Sequence, residues 1–120
     1  MECPRVLIVE DDWLIAEALA DQIEALGCGV VGPVGSVAEA LDALEKSSPE
    51  AALLDVNLGT ETSFPIADAL VGRGIPFAFV TAYSRSQLPE RFASSAVLMK
   101  PVSAHSLRNH VRELAARVHA

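Results

Sequence analysis

The sequence predicts an α/β fold in which a doubly wound, five-stranded parallel sheet is flanked by five helices, all in one domain over residues 1–120. Three observations lead there. Five short apolar runs recur along the chain: RVLIV, GVVGPV, AALLD, PFAFVT and AVLMK. None alternates with polar residues, as expected of strands covered on both faces. Amphipathic segments lie between the runs, and repeated strand–helix–strand order builds a parallel sheet with helices on its faces.

The elements follow in order. RVLIV ends in Glu10, Asp11 and Asp12. Asp12 is read as the cap of the first helix, where a carboxylate suits the free N–H groups and the dipole. That helix, DWLIAEALADQIEALG, has an apolar stripe of Ile15, Leu19, Ile23 and Leu26, and Gly27 stops it. The stretch GCGVVG at 27–32 matches GxGxxG but follows a helix and enters a strand. A dinucleotide fingerprint needs the reverse, so these glycines read as a helix stop and a turn. Pro33 inside the second run favours an edge strand. With right-handed crossovers this gives the order 2-1-3-4-5 of flavodoxin-like folds.

SVAEALDALEKS opens with a capping box, Ser36 and Glu39, and its stripe is Val37, Ala40, Leu41 and Leu44. AALLD is the third strand, and FPIADALVGRG is a third helix ending in glycines. PFAFVT is the fourth strand. The stretch after it, AYSRSQLPERFASS, holds Pro89 and several serines, so the fourth helix is expected to be short or frayed. AVLMK is the fifth strand. The last helix carries Leu107, Val111, Leu114 and Val118 at helical spacing.

Bulk properties narrow the function. At 120 residues, 51% apolar and 21% charged, the chain can bury a full core. Its longest apolar run is four residues, too short for a membrane span or a signal peptide, which implies a cytoplasmic protein without a membrane partner. A net charge of −7 argues against duplex DNA as a direct ligand. Cys3 and Cys28 are too few and too far apart along the chain for a zinc site or a disulfide framework, and both are expected reduced. His105, His110 and His119 lack HExxH spacing and read as surface or packing residues.

In a doubly wound sheet, ligands bind at the carboxyl ends of the strands near the switch in strand order. Those ends carry Glu10 and Asp11, then Asp55, Thr81 and Lys100. Three carboxylates in one patch raise one another's pKa or recruit a cation, and oxygen ligands of this kind suit Mg²⁺. An ammonium and a hydroxyl beside them suit a transferred phosphoryl group, and Asp55 is placed to be its nucleophile. Each residue alone has a plainer reading: a turn aspartate, a strand threonine, a loop lysine. The ordered set VEDD, LLDVN, VTA and MKP, each after an apolar run, is far more specific.

These motifs resemble the receiver domain of bacterial two-component response regulators over essentially the whole chain. The resemblance implies a phosphorylation-controlled switch. Asp55 would accept phosphate from a histidine kinase or a histidine phosphotransfer protein. Glu10, Asp11 and Asp55 would hold Mg²⁺ with the backbone carbonyl of Asn57. Thr81 would be the switch hydroxyl and Lys100 the matching lysine. A cis bond at Lys100–Pro101 is also implied. The downstream protein target is not named by the sequence, and a homodimer is left open. A DNA-binding output domain is not expected within these 120 residues.

Two departures qualify the resemblance. The family usually has an aromatic switch residue three positions before the lysine, where this chain has Val97. Tyr83 is the candidate to gate phosphate or replace that aromatic; its alternative reading is a loop aromatic packed on the fourth helix. The stretch from Thr81 to Lys100 is also short, and PFAFVTAY is similar to stand-alone receivers with a Phe-x-Thr-Gly fourth strand, with Ala82 at the glycine. Two other functions compete. A degenerate receiver would bind proteins without phosphate. A Mg²⁺-dependent aspartyl phosphohydrolase would usually place a second acid two residues after the nucleophile, where this chain has Asn57.

Overall fold

A computed structural model describes residues 3–82 and 88–118. Among the described residues seven strands form: β1 (Val6–Val9), β2 (Val30–Val34), β3 (Ala51–Asp55), β4 (Asn57–Leu58), β5 (Glu61–Thr62), β6 (Phe77–Thr81) and β7 (Ala96–Met99). The α-helices are α1 (Trp13–Ala25), α2 (Val37–Ser47), α3 (Phe64–Arg73) and α4 (Ala104–Val118). Five strands make one sheet in the order β2-β1-β3-β6-β7, and β4 and β5 form a separate antiparallel hairpin. The main sheet is parallel throughout. This is the flavodoxin-like order expected from the sequence, with β6 and β7 as its fourth and fifth strands.

Strand pleating divides the core in two. Val6 and Ile8, Ala51 and Leu53, and Ala78 and Val80 pack with Leu19 and Ile23 of α1 and Leu107, Val111 and Leu114 of α4. The alternate residues Leu7 and Val9, Ala52 and Leu54, and Phe77 and Phe79 pack with Ala40 and Leu44 of α2 and Ile66 and Leu70 of α3. Both faces are covered, which is why the central runs needed no polar residues. Pro33 does lie on an edge strand. Gly32 beside it has φ +88°, and a Cβ there would come within 2.8 Å of the Val34 nitrogen.

Helix starts follow their caps. Asp12 accepts from the N–H groups of Leu14 at 3.1 Å and Ile15 at 3.4 Å. Ser36 Oγ accepts from the Glu39 N–H at 3.1 Å, while Glu39 reaches back to the Gly35 N–H at 3.3 Å. Both caps are as expected. Leu41 is a correction: it is exposed, because the core-facing side of α2 is set by Ala40 and Leu44.

The helix count also differs. Among the described residues, the segment expected to hold a fifth helix contains only a 3-10 turn, Glu90–Phe92, directly after Pro89. Packing explains where this turn sits. Phe92 is buried and meets Phe64, Phe77 and Phe79, all four phenylalanines of the chain in one cluster. Arg91 is laid over the Phe92 ring at 4.6 Å and makes a two-pronged ion pair with Asp68 of α3, at 2.9 and 3.0 Å. One aromatic anchor thus covers this part of the sheet face. Tyr83 and His119 lie outside the described residues. No helix among the described residues is long and apolar enough to cross a membrane.

Candidate functional site

The sheet register aligns the strand ends. Val9 pairs with Leu54, Asp55 with Val80, and Thr81 with Met99. Glu10 therefore follows β1 level with Asp55, and Lys100 follows β7 just past Thr81. The Lys100 N–H donates to the Thr81 carbonyl at 2.8 Å and holds those two ends together. The Lys100–Pro101 bond is cis, as expected.

The side chains converge. Glu10, Asp11 and Asp55 each present a carboxylate oxygen within 4.8 Å of the others. Lys100 Nζ donates to Glu10 Oε1 at 2.7 Å and lies 3.3 Å from Asp55 Oδ2. Glu10, Asp55 and Thr81 are buried, while Asp11 is exposed. Asn57 follows Asp55 by two residues and starts the β4–β5 hairpin. Gly59 turns that hairpin at φ +72°, and its missing Cβ would stand 3.8 Å from Asp11 Oδ2. The hairpin and Gly59 were not singled out from sequence, although the glycine in NLGTET marks a turn.

The electrostatics follow from burial and proximity. Burial pushes the Glu10 carboxyl above its ordinary value of 4.5, and neighbouring Asp55 adds to this against the pull of Lys100. Burial alone would lower Lys100, but Glu10 and Asp55 together hold it above its usual value. Among the described residues one ammonium faces three carboxylates, which leaves negative charge uncompensated there. A hard divalent cation such as Mg²⁺, which takes carboxylate oxygens, fits this donor set.

Val97 is half-buried in β7, paired with Phe79 on the phenylalanine side of the sheet. It contributes an aliphatic contact there and no ring. Around Lys100, an apolar groove of about 540 Å³ is lined by Leu14, Ile15, Ala82, Pro101 and Val102 among others. Leu14 stands 67% exposed on this groove.

Residues 6–112 match the family model described as the response regulator receiver domain. The chain is 33% identical over 107 residues to the transcriptional regulatory protein PdtaR of Mycobacterium tuberculosis, covering 86% of this chain and 52% of that protein. It is 37% identical over 91 residues to the phyllosphere-induced regulator PhyR of Methylorubrum extorquens, covering 73% of this chain and 32% of that protein. The chain thus spans about half or less of the length of these curated relatives. Among solved structures it is similar to SdrG of Sphingomonas melonis Fr1, with a TM-score of 0.81, 41% identity and full coverage of both chains.

Proposed function

This chain belongs to the response regulator receiver domain family, and we propose that residues 1–120 work as one phosphoacceptor unit, with Asp55 as the acceptor. The observation that carries this reading is the Lys100 ammonium, set 2.7 Å from Glu10 and 3.3 Å from Asp55 inside a group of three carboxylates. A structural ion pair needs one acid. Three acids and one ammonium suit a site that gains a cation and a dianionic group together.

The donor is a phosphohistidine on a histidine kinase or a histidine phosphotransfer protein. An Asp55 carboxylate oxygen attacks the phosphorus, the new P–O bond forms as the P–N bond breaks, and the electron pair leaves with the imidazole nitrogen. Lys100 neutralises one phosphoryl oxygen and the Thr81 hydroxyl donates to another. Glu10, Asp11, Asp55 and the Asn57 carbonyl would hold Mg²⁺, which supplies positive charge to the phosphoryl oxygens. The chain acts as a switch that changes protein partners, not as a turnover enzyme, and its surroundings are the cytoplasm. Leu14 and Pro101 border the site with apolar surface suited to a partner helix.

The test is phosphorylation by acetyl phosphate with Mg²⁺. One hydroxylamine-sensitive phosphate per chain is expected, and Asp55→Asn is expected to abolish it. Phosphate retained on Asp55→Asn, or none on the unaltered chain, overturns the reading.

A further inference from the structure

We propose that Cys3 and Cys28 form a hydroperoxide-responsive pair that closes into an intramolecular disulfide at the end of the sheet opposite the acidic site. The two are distant in sequence, yet the fold brings them together. Val6 pairs with Val30, and the Val6 N–H donates to the Gly29 carbonyl at 2.9 Å, so the chain before β1 runs beside the chain before β2. Cys3 Sγ donates to the Leu26 carbonyl at 3.4 Å, at the end of α1. Cys3 packs against the core cluster that contains Cys28. Both sulfurs sit against the core between α1 and α4.

The pair is asymmetric, which gives the chemistry an order. Cys28 is 4% exposed, and burial followed by contact with Cys3 pushes its thiol up to about 12. Cys3 is half-buried and lines a cavity of about 320 Å³ with Leu26, Val111, Arg108 and Arg112. Cys3 is the thiol that a solute can reach, while Cys28 is buried, so Cys3 reacts first. Its sulfur attacks one peroxide oxygen, an S–O bond forms and the O–O bond breaks. The departing oxygen takes the proton that Cys3 gave up and leaves as an alcohol, or as water from hydrogen peroxide. Cys3 is then a sulfenic acid. The Cys28 sulfur attacks the Cys3 sulfur, the S–S bond forms and the S–O bond breaks. The leaving hydroxide takes the Cys28 proton as a second water. Two thiols are oxidised and one hydroperoxide is reduced.

The bond would close a loop containing β1 and α1, restricting the unfolded chain without touching Asp55 or Lys100. The test treats the reduced chain with hydrogen peroxide, then maps it by mass spectrometry without reduction. A monomer lacking the two thiol hydrogens is expected, with the Cys3 and Cys28 peptides joined and released by dithiothreitol. Its melting temperature should rise by about 5 °C or more. Cys28→Ala should stop at a Cys3 sulfenic acid that dimedone captures, and Cys3→Ser should leave Cys28 unoxidised. Untouched thiols, a disulfide-linked dimer, or oxidation of Cys28 in Cys3→Ser would overturn the proposal.

Discussion

Lys100→Met removes the ammonium while keeping most of the side chain's length, and so isolates its charge. In the folded protein that ammonium meets Glu10 at 2.7 Å and Asp55 at 3.3 Å. The side chains are 20%, 1% and 11% exposed, so this is not a solvent-screened surface pair. Removing one partner from a buried pair costs about 3–5 kcal/mol, because the remaining charge is left uncompensated. Glu10 can escape part of that cost by taking a proton, since its carboxyl already sits above 4.5 with Lys100 in place. A loss of about 2–3 kcal/mol at neutral pH without divalent cations is therefore expected, or about 10 °C in melting temperature. The sign of the pH dependence follows. A raised carboxyl makes ionisation of Glu10 unfavourable to the fold above 4.5, and this penalty fades as pH falls through the folded value toward 4.5. The variant's deficit should thus be widest near neutrality and narrow on acidification. The assay is urea unfolding followed by circular dichroism, in chelator, at several pH values. A deficit below about 0.5 kcal/mol at neutral pH, or one that grows on acidification, would refute the reasoning.

Three further outcomes are expected. Mg²⁺ should stabilise the fold by about 1 kcal/mol at several times its dissociation constant, and Trp13, one residue past Asp12 and 64% exposed, should report it by fluorescence. No change in either signal on titration would count against a cation at Glu10, Asp11 and Asp55. Asp12→Ala should cost about 1 kcal/mol through loss of the α1 cap, with the Mg²⁺ response kept, as chemical denaturation with and without the cation would show. Phe92→Ala should cost about 3–4 kcal/mol in the same measurement, because that ring is 3% exposed and touches three other rings.

The strands and most helices were legible because each had a local cause. AALLD begins and ends where β3 does, and Pro33 marks the edge strand. Asp12 and Ser36 named their own helix starts. What escaped depended on contacts across the chain. Leu41 fits the helical stripe by spacing, yet the stripe was wider than the buried face. The turn at Glu90–Phe92 rests on Phe92 finding Phe64, Phe77 and Phe79, which no local pattern encodes. The site residues were legible as strand ends. The hairpin that carries Gly59 past Asp11 was not, since two-residue strands leave no periodic signal.

The three adjacent acids after β1 show how one fold gives identical charges different work. Glu10 is buried, bonded to Lys100 and held above its ordinary pKa. Asp11 is exposed and turns its carboxylate toward the gap under Gly59. Asp12 points the other way and accepts from two N–H groups of α1. Had all three faced the sheet end with Asp55, four carboxylates would share a single ammonium. Diverting Asp12 to the helix relieves that repulsion and pins α1, so that its exposed Trp13 and Leu14 are fixed beside the site. Cap and acidic cluster are therefore one device, and Asp12→Ala should loosen the position of α1 without lowering the number of carboxylates at Lys100.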